Sequence, residues 1–259
     1  NYQCTDNLVA LDYSVHKNTS GEVEIHHMAP SNDPGHIFGG WDLRLCSTPF
    51  TNFRWLIPEL CSFEGRAIYM DDDQLALHDL RELWNMDLKG KPCAMKLHMG
   101  NEPRPCVMLW DNQRAAQYML PLPRVKKDPN LNLNFANRMK NIFFRPELIE
   151  FYDRKWNCFD GEDMALEEIG ILHLTDMRTN PGIIAFMNRR PGTPHWFNGE
   201  ILKHRRPDAV ALWNQYYNEA LAAGYDPFEY ETRFDEMKYN IVDQTNYTSA
   251  NGWDVKLNQ

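Results

Sequence analysis

The sequence predicts an α/β protein built on an open, mixed and mostly parallel sheet, and three observations predict it. Short apolar strand patterns alternate with helical ones along the chain. Several of the strands are followed at once by irregular polar stretches, which is where open sheets keep their sites. No internal repeat or low-complexity segment breaks the pattern.

The elements follow in order. Residues 8–17 carry a helical pattern, and the turn formers Thr19-Ser20-Gly21 lead into 23–28, whose weak alternation predicts a strand. Residues 54–60 are apolar on a helical period. Phe63-Glu64-Gly65 then turns the chain into Arg66-Ala67-Ile68-Tyr69-Met70, a short buried strand that runs directly into Asp71-Asp72-Asp73. A loop and short helix are expected over 74–84. Ala94-Met95-Lys96-Leu97 and Cys106-Val107-Met108-Leu109-Trp110 are strands flanking a turn at Gly100-Asn101-Glu102-Pro103, with Asp111 and Asn112 at the end of the second. Residues 121–141 read as loop and helix, and 156–163 as irregular. Ile169-Gly170-Ile171-Leu172-His173-Leu174 is the last clear strand, and 209–223 a helix whose apolar face holds Val210, Leu212, Trp213, Tyr216, Tyr217 and Leu221.

Bulk properties narrow the function. The 259 residues are 43% hydrophobic, enough for a substantial core. With 27 basic and 36 acidic residues the net charge is −9, which disfavours a general attraction to polyanions. No stretch reaches the roughly 20 apolar residues of a membrane span, and no secretory h-region opens the chain. The six cysteines (Cys4, Cys46, Cys61, Cys93, Cys106, Cys158) stand singly without zinc-ligand spacing, so reduced thiols and a cytoplasmic location are expected. Asn18-Thr19-Ser20 and Asn246-Tyr247-Thr248 match the glycosylation pattern, which short chance matches also produce.

Three successive aspartates after an apolar strand repel one another, and a divalent cation removes that cost. Oxygen donors suit magnesium or manganese, which bridge carboxylates to nucleotide phosphates. A helix cap or acidic surface loop is the alternative reading.

The context of these aspartates is specific. The run from Phe50-Thr51-Asn52-Phe53-Arg54 through Gly65 to Asp73, followed by Asp79-Leu80-Arg81-Glu82-Leu83-Trp84, resembles the heart of the family 8 glycosyltransferases, the glycogenin and lipopolysaccharide galactosyltransferase family with its bacterial and phage relatives. Cys4-Thr5-Asp6-Asn7 resembles the nucleotide-binding end of that family's first strand. Residues 171–181 resemble its late strand and loop, with Asn180-Pro181-Gly182 where the family reads Gln-Pro-Trp. The resemblance implies a GT-A fold over 1–259 as a single domain, with 1–112 the nucleotide-sugar part and 113–259 the acceptor part and metal-histidine loop.

It further implies a site. Asp71, Asp73 and His173 would hold Mn2+ or Mg2+, with Asp72 the variable position, and a UDP-sugar would meet Thr5, Asp6, Asn7, Arg54, Asp71 and Asp72. Arg178 or Lys203 would stabilise the departing diphosphate. Arg54 could instead be a surface arginine paired with Glu59 or a neighbouring acid. Retention of anomeric configuration is implied too, and Asp111, Asn112, Asn157 and Asp160 are the candidates for stabilising the reacting sugar. Segment 156–160 resembles the Trp-Asn-Ser-Leu of close relatives.

For the acceptor, Arg189, Arg190, His195, Trp196, Lys203, His204, Arg205 and Arg206 form a basic stretch with aromatics. A glycan or polysaccharide ranks first as acceptor and a hydroxylated base in DNA second, and the location would be the host cytoplasm were the protein phage-encoded. Two other readings stand beside transfer: a nucleotidyltransferase, disfavoured by the missing Gly-rich loop, and an inactive sugar- or nucleotide-binding module.

Overall fold

The computed structural model describes residues 5–31, 33–40, 53–98, 102–127, 146–193, 195, 197 and 199–235. Outside the described residues lie Cys4, Cys46, Phe50-Thr51-Asn52, the Gly100-Asn101 turn, most of the loop and helix expected at 121–141, Trp196 and the Asn246 acceptor pattern.

Helix α1 (Thr5–Asn18) starts three residues before its apolar pattern, with Asp6 in its first turn and His16 and Lys17 in its last, the signs that complement a helix dipole. Ser14 Oγ donates to Leu11 O (2.7 Å) and accepts from Ala76 N (2.9 Å), fastening the helix to the strand at 74–76. Asn18 Nδ2 donates to Ala76 O and Tyr216 OH, so the amide of the first glycosylation pattern is engaged inside the fold.

The strand expected at 23–28 is not one. Its chain is extended without a ladder, and Val23, Ile25 and Met28 lie against the main core, so one-sided packing produces the alternation. The helix expected at 54–60 is broken into a 3-10 turn (Phe53–Trp55) and α2 (Ile57–Leu60), with Pro58 in the first turn of α2. A proline there suits a helix start and clashes with any turn before it.

Two sheets follow. In the first, β1 (Arg66–Met70) and β3 (Cys93–His98) flank β4 (Glu102–Asp111) antiparallel, and β5 (Ile149–Tyr152) adds to β3 in parallel. In the second, β7 (Ile171–His173) lies between antiparallel β2 (Gln74–Ala76) and parallel β6 (Cys158–Phe159). The mixed sheet flanked by helices is therefore present, but among described strands the antiparallel share is larger than expected. Short connections such as the one joining β3 to β4 permit only that direction.

Helices α3 (Leu80–Trp84), α4 (Asn112–Ala115), α5 (Leu122–Lys127), α6 (Pro181–Arg189), α7 (Pro207–Ala222) and α8 (Pro227–Asp235) complete the described elements. Val107, Met108, Leu109 and Trp110 of the central strand β4 are fully buried, which explains their unbroken apolar run. On α7 the buried face is Ala209, Trp213, Tyr216 and Ala220; Leu221 is exposed and Val210 only half-buried, so the expected stripe is rotated. The first sheet draws on both sides of residue 112, since β3 pairs with β4 before it and with β5 after it. Among the described residues no helix is long and apolar enough to cross a membrane.

Candidate metal and donor site

The site forms where β1 ends and β2 meets β7. Asp71 N continues the β1–β4 ladder by donating to Cys106 O (3.1 Å), and residues 72–73 turn the chain into β2. In the β2–β7 register Gln74 stands opposite His173, and Leu174 N donates to Asp73 O (2.9 Å). On the other side of β7, Phe159 pairs with His173 and Asp160 N donates to His173 O (2.9 Å). A three-residue strand thus brings together residues a hundred positions apart.

His173 is 4% exposed. Its Nδ1 lies 2.9 Å from Asn157 Oδ1 and its Nε2 3.0 Å from Asp73 Oδ1, and the Phe159 ring meets it edge-on. With Asn157 Oδ1 accepting from Nδ1–H, the Nε2 lone pair of the neutral ring faces Asp73, the arrangement that a second-sphere carbonyl imposes on a metal-binding imidazole. Burial lowers the pKa of this imidazole, but Asp73, followed by Asp71 and Asp160, outweighs burial and raises it above its ordinary value. Asp73 is 5% exposed, and the one group beside its Oδ1 is the His173 ring, which donates to it only when protonated. A buried carboxylate oxygen without a donor is costly in a finished core. Here it and the imidazole fit a shared cation.

Asp71 is held differently. Arg54 Nη2 (3.1 Å) and the Tyr69 hydroxyl both donate to Asp71 Oδ1, and Arg54 Nη1 donates to Pro105 O (2.7 Å). Arg54 is 5% exposed and lies over the Tyr69 ring, so it is neither the surface partner of Glu59 nor turned outward; it orients Asp71. The tightest donor cluster among the described residues is Asp71, Cys106 and His173, whose ligand atoms all lie within 4.8 Å. Cys106 was not evident from sequence. It enters because β4 is the ladder partner of β1, a pairing no local pattern reveals.

Asn157 is placed by two neighbours. Trp156 packs so closely on Gly170 that a Cβ there would stand 2.7 Å from the indole, and the buried Lys96 Nζ donates to Asn157 O (2.8 Å) and pairs with Glu162 while lying 4.0 Å from the Phe159 ring centroid. Asp160 accepts from Thr175 Oγ1 (2.9 Å) and is paired with His204 Nε2 (2.9 Å), so both its oxygens are engaged.

Other expected residues stand apart. Arg66 pairs with Asp111 in the β1–β4 register, five positions from Asp71, about 17 Å along a strand. Asp111 caps α4 through Arg114 N, and the buried Asn112 donates to Glu64 O; neither belongs to this site. Thr5, Asp6 and Asn7 are the first turn of α1 rather than a strand end. Asp6 is fully buried, its carboxylate held by Arg189 (Nε 3.1 Å, Nη2 2.7 Å) and the Tyr217 hydroxyl (2.6 Å), while Thr5 Oγ1 also accepts from Arg189. Asn7 packs against Gly182, where a Cβ would come 1.9 Å from its Oδ1.

Much of the basic stretch is paired with acidic residues. Arg189 and Arg190 pair with Glu231, His204 with Asp160 and Arg206 with Asp208, and His195 is buried against Phe186. Arg178 forks onto Asp176 with two 3.0 Å bonds, and Leu202 N donates to Arg178 O (2.8 Å), bringing the exposed Lys203 beside that loop. Asn180 caps α6 through Gly182 N and Ile183 N, so the departure from Gln-Pro-Trp produces a capped helix start.

No protein-family model matches this chain, and no curated protein matches it either. In three dimensions it is similar to the galactosyltransferase LgtC in complex with donor and acceptor sugar analogues, at TM-score 0.57 and 12% identity over 88% of this chain and 95% of that one. The fold is that of the GT-A glycosyltransferases. The glycosyltransferase GlyE of Streptococcus pneumoniae TIGR4 matches at TM-score 0.54 and 14% identity over 90% of this chain and 61% of that one. The bifunctional WbbM matches at TM-score 0.53 and 11% identity over 74% of this chain, which spans only 48% of that longer one. At such identities the likeness is one of fold, and the site geometry has to carry the chemistry.

Proposed function

We propose that this protein is a divalent-metal-dependent glycosyltransferase that moves a sugar from a nucleotide-sugar donor, a UDP-sugar, to an acceptor hydroxyl. The observation that carries the reading is the contact between the undonated Asp73 carboxylate oxygen and His173 Nε2, made by the β2–β7 ladder at a strand end of a GT-A fold. Asp71, Asp73 and His173 would hold Mn2+ or Mg2+, which when bound neutralises the charge of a departing diphosphate. Asn157 orients the imidazole, Arg54 orients Asp71, and Asp160 adds negative charge behind the ring. Arg178 and Lys203, on adjoining strands of loop, supply positive charge for the phosphates. Retention of configuration follows the family resemblance. With the arginines at 189, 190 and 206 engaged in ion pairs, a glycan acceptor is favoured over a base in DNA.

The test is calorimetric titration of UDP and UDP-sugars with Mn2+ or with EDTA, on the parent and on Asp73→Ala and His173→Ala. UDP binding that needs metal and disappears in both variants supports the reading, as does metal-dependent release of free sugar from the donor. Binding indifferent to metal and to both substitutions rejects it.

A further inference from the structure

We propose that Cys106 is an inner-sphere donor of this centre, so that Asp71, Cys106 and His173 bind a thiophilic divalent ion, Zn2+ above all, in competition with Mn2+ or Mg2+. The inference rests on the metal centre proposed above but not on sugar transfer.

Cys106 differs from the other described cysteines in its surroundings. Cys93 and Cys158 are fully buried members of hydrophobic clusters, and Cys61 packs against one of them. Cys106 belongs to none of the clusters among the described residues; it is half-buried beside the Asp71 carboxylate, the Arg54 guanidinium and Asp73. A cysteine used only as a small apolar side chain is at home in the first setting, not in the second. Without a metal the thiol keeps its proton, since burial and then Asp71 push its pKa well up.

The cluster also has the right size. Zinc bonds of about 2.0 Å to oxygen and nitrogen and 2.3 Å to sulfur place tetrahedral ligand atoms roughly 3.3 to 3.8 Å apart. The three atoms here already lie within 4.8 Å of one another, so side-chain adjustments of about 1 Å complete the shell. Three protein ligands leave the fourth position to water or to Asp73 Oδ1, which stands 3.0 Å from the imidazole. An oxygen-only centre discriminates weakly against hard ions, whereas one sulfur donor shifts preference toward zinc and cobalt. Binding exchanges the thiol proton for the metal: the S–H bond breaks, an S–metal bond forms and the proton leaves to solvent, with no change of oxidation state.

The experiment is a Co2+ titration of the metal-stripped full chain, followed by absorption, on the parent, Cys106→Ser, Cys106→Ala and His173→Ala, with metal-free melting curves to confirm folding. The parent should show visible d–d bands together with a near-ultraviolet sulfur-to-cobalt charge-transfer band. Cys106→Ser and Cys106→Ala should keep d–d bands, lose the charge-transfer band, and weaken Zn2+ by more than the roughly 10- to 100-fold that outer-sphere changes cost. d–d bands without charge transfer in the parent, or a charge-transfer band surviving in both Cys106 variants, overturn the assignment of Cys106 while leaving the metal centre standing. Absence of any cobalt signal removes the centre and the inference together.

Discussion

Two clusters of buried charge make the most useful comparison in this molecule. One joins Asp6, Arg189, Glu231 and Tyr217 across α1, α6, α7 and α8; the other joins Asp71, Asp73, His173 and Cys106 where β1, β2, β4 and β7 meet. In the first, both oxygens of Asp6 accept from arginine and tyrosine, and Glu231 ties the same arginine from the far side. In the second, a carboxylate oxygen and an imidazole nitrogen face each other at 3.0 Å, a pair that shares a proton only when the ring is charged. The difference lies in the cation: a permanently charged arginine closes the first cluster, whereas in the second the carboxylate oxygen has only an imidazole beside it, and when that ring is neutral the two together offer a metal a pair of acceptors.

The sharpest way to break that contrast is to remove Asp6. Asp6→Ala leaves Arg189 partly uncompensated and should cost about 3–5 kcal/mol in denaturant unfolding, while Mn2+ affinity measured on the folded fraction stays as in the parent. If the metal affinity fell with the stability, the two clusters would not be independent. Asp73→Ala should do the reverse, lowering Mn2+ affinity by more than about 100-fold in calorimetry, while the metal-free protein loses only the low-pH stability that the Asp73–His173 attraction supplies.

A smaller loss is expected from Asn157→Ala, which removes the partner that fixes the His173 tautomer: about 10- to 100-fold in metal affinity. Preserved affinity there would show that Phe159 packing alone holds the ring. Away from both clusters, Asp79 caps α3 by accepting from Arg81 N, and Asp79→Ala should lower stability by only ~1 kcal/mol with no effect on metal.

The last contrast is a slope with pH. His173 has a folded-state pKa raised above its ordinary 6.5, so its contribution to metal-free stability is fully present below 6.5 and is lost as pH rises through the folded value. Protons and metal compete for the same nitrogen, so metal affinity moves the opposite way and falls on acidification. Unfolding of the metal-free parent and of His173→Ala across that window, beside Mn2+ titrations, should show the parent's extra stability at low pH and its absence in the variant. Parallel curves would place the imidazole outside the charge balance described here.

Much of this was legible in the chain itself. The Arg66–Met70 strand, the aspartates after it, the strand ending at His173 and the 207–222 helix announce themselves through period and punctuation, since each depends on neighbours within a few residues. Local pattern misled where tertiary contact decides. Val23 to Met28 alternates because one side meets the core, not because a strand pairs there, and Asp111 ends a strand at the wrong end of the sheet.

The sequence by itself determined an α/β chain with a carboxylate cluster after a buried strand, because apolar periodicity and charge repulsion are local properties. Only the tertiary structure decided which histidine, amide and thiol complete that cluster, and that Asp6 is spent on Arg189 while Arg190, His204 and Arg206 are paired with other acids. Those choices follow from strand register and helix docking, which join residues 16 to 211 positions apart through contacts that local pattern does not carry.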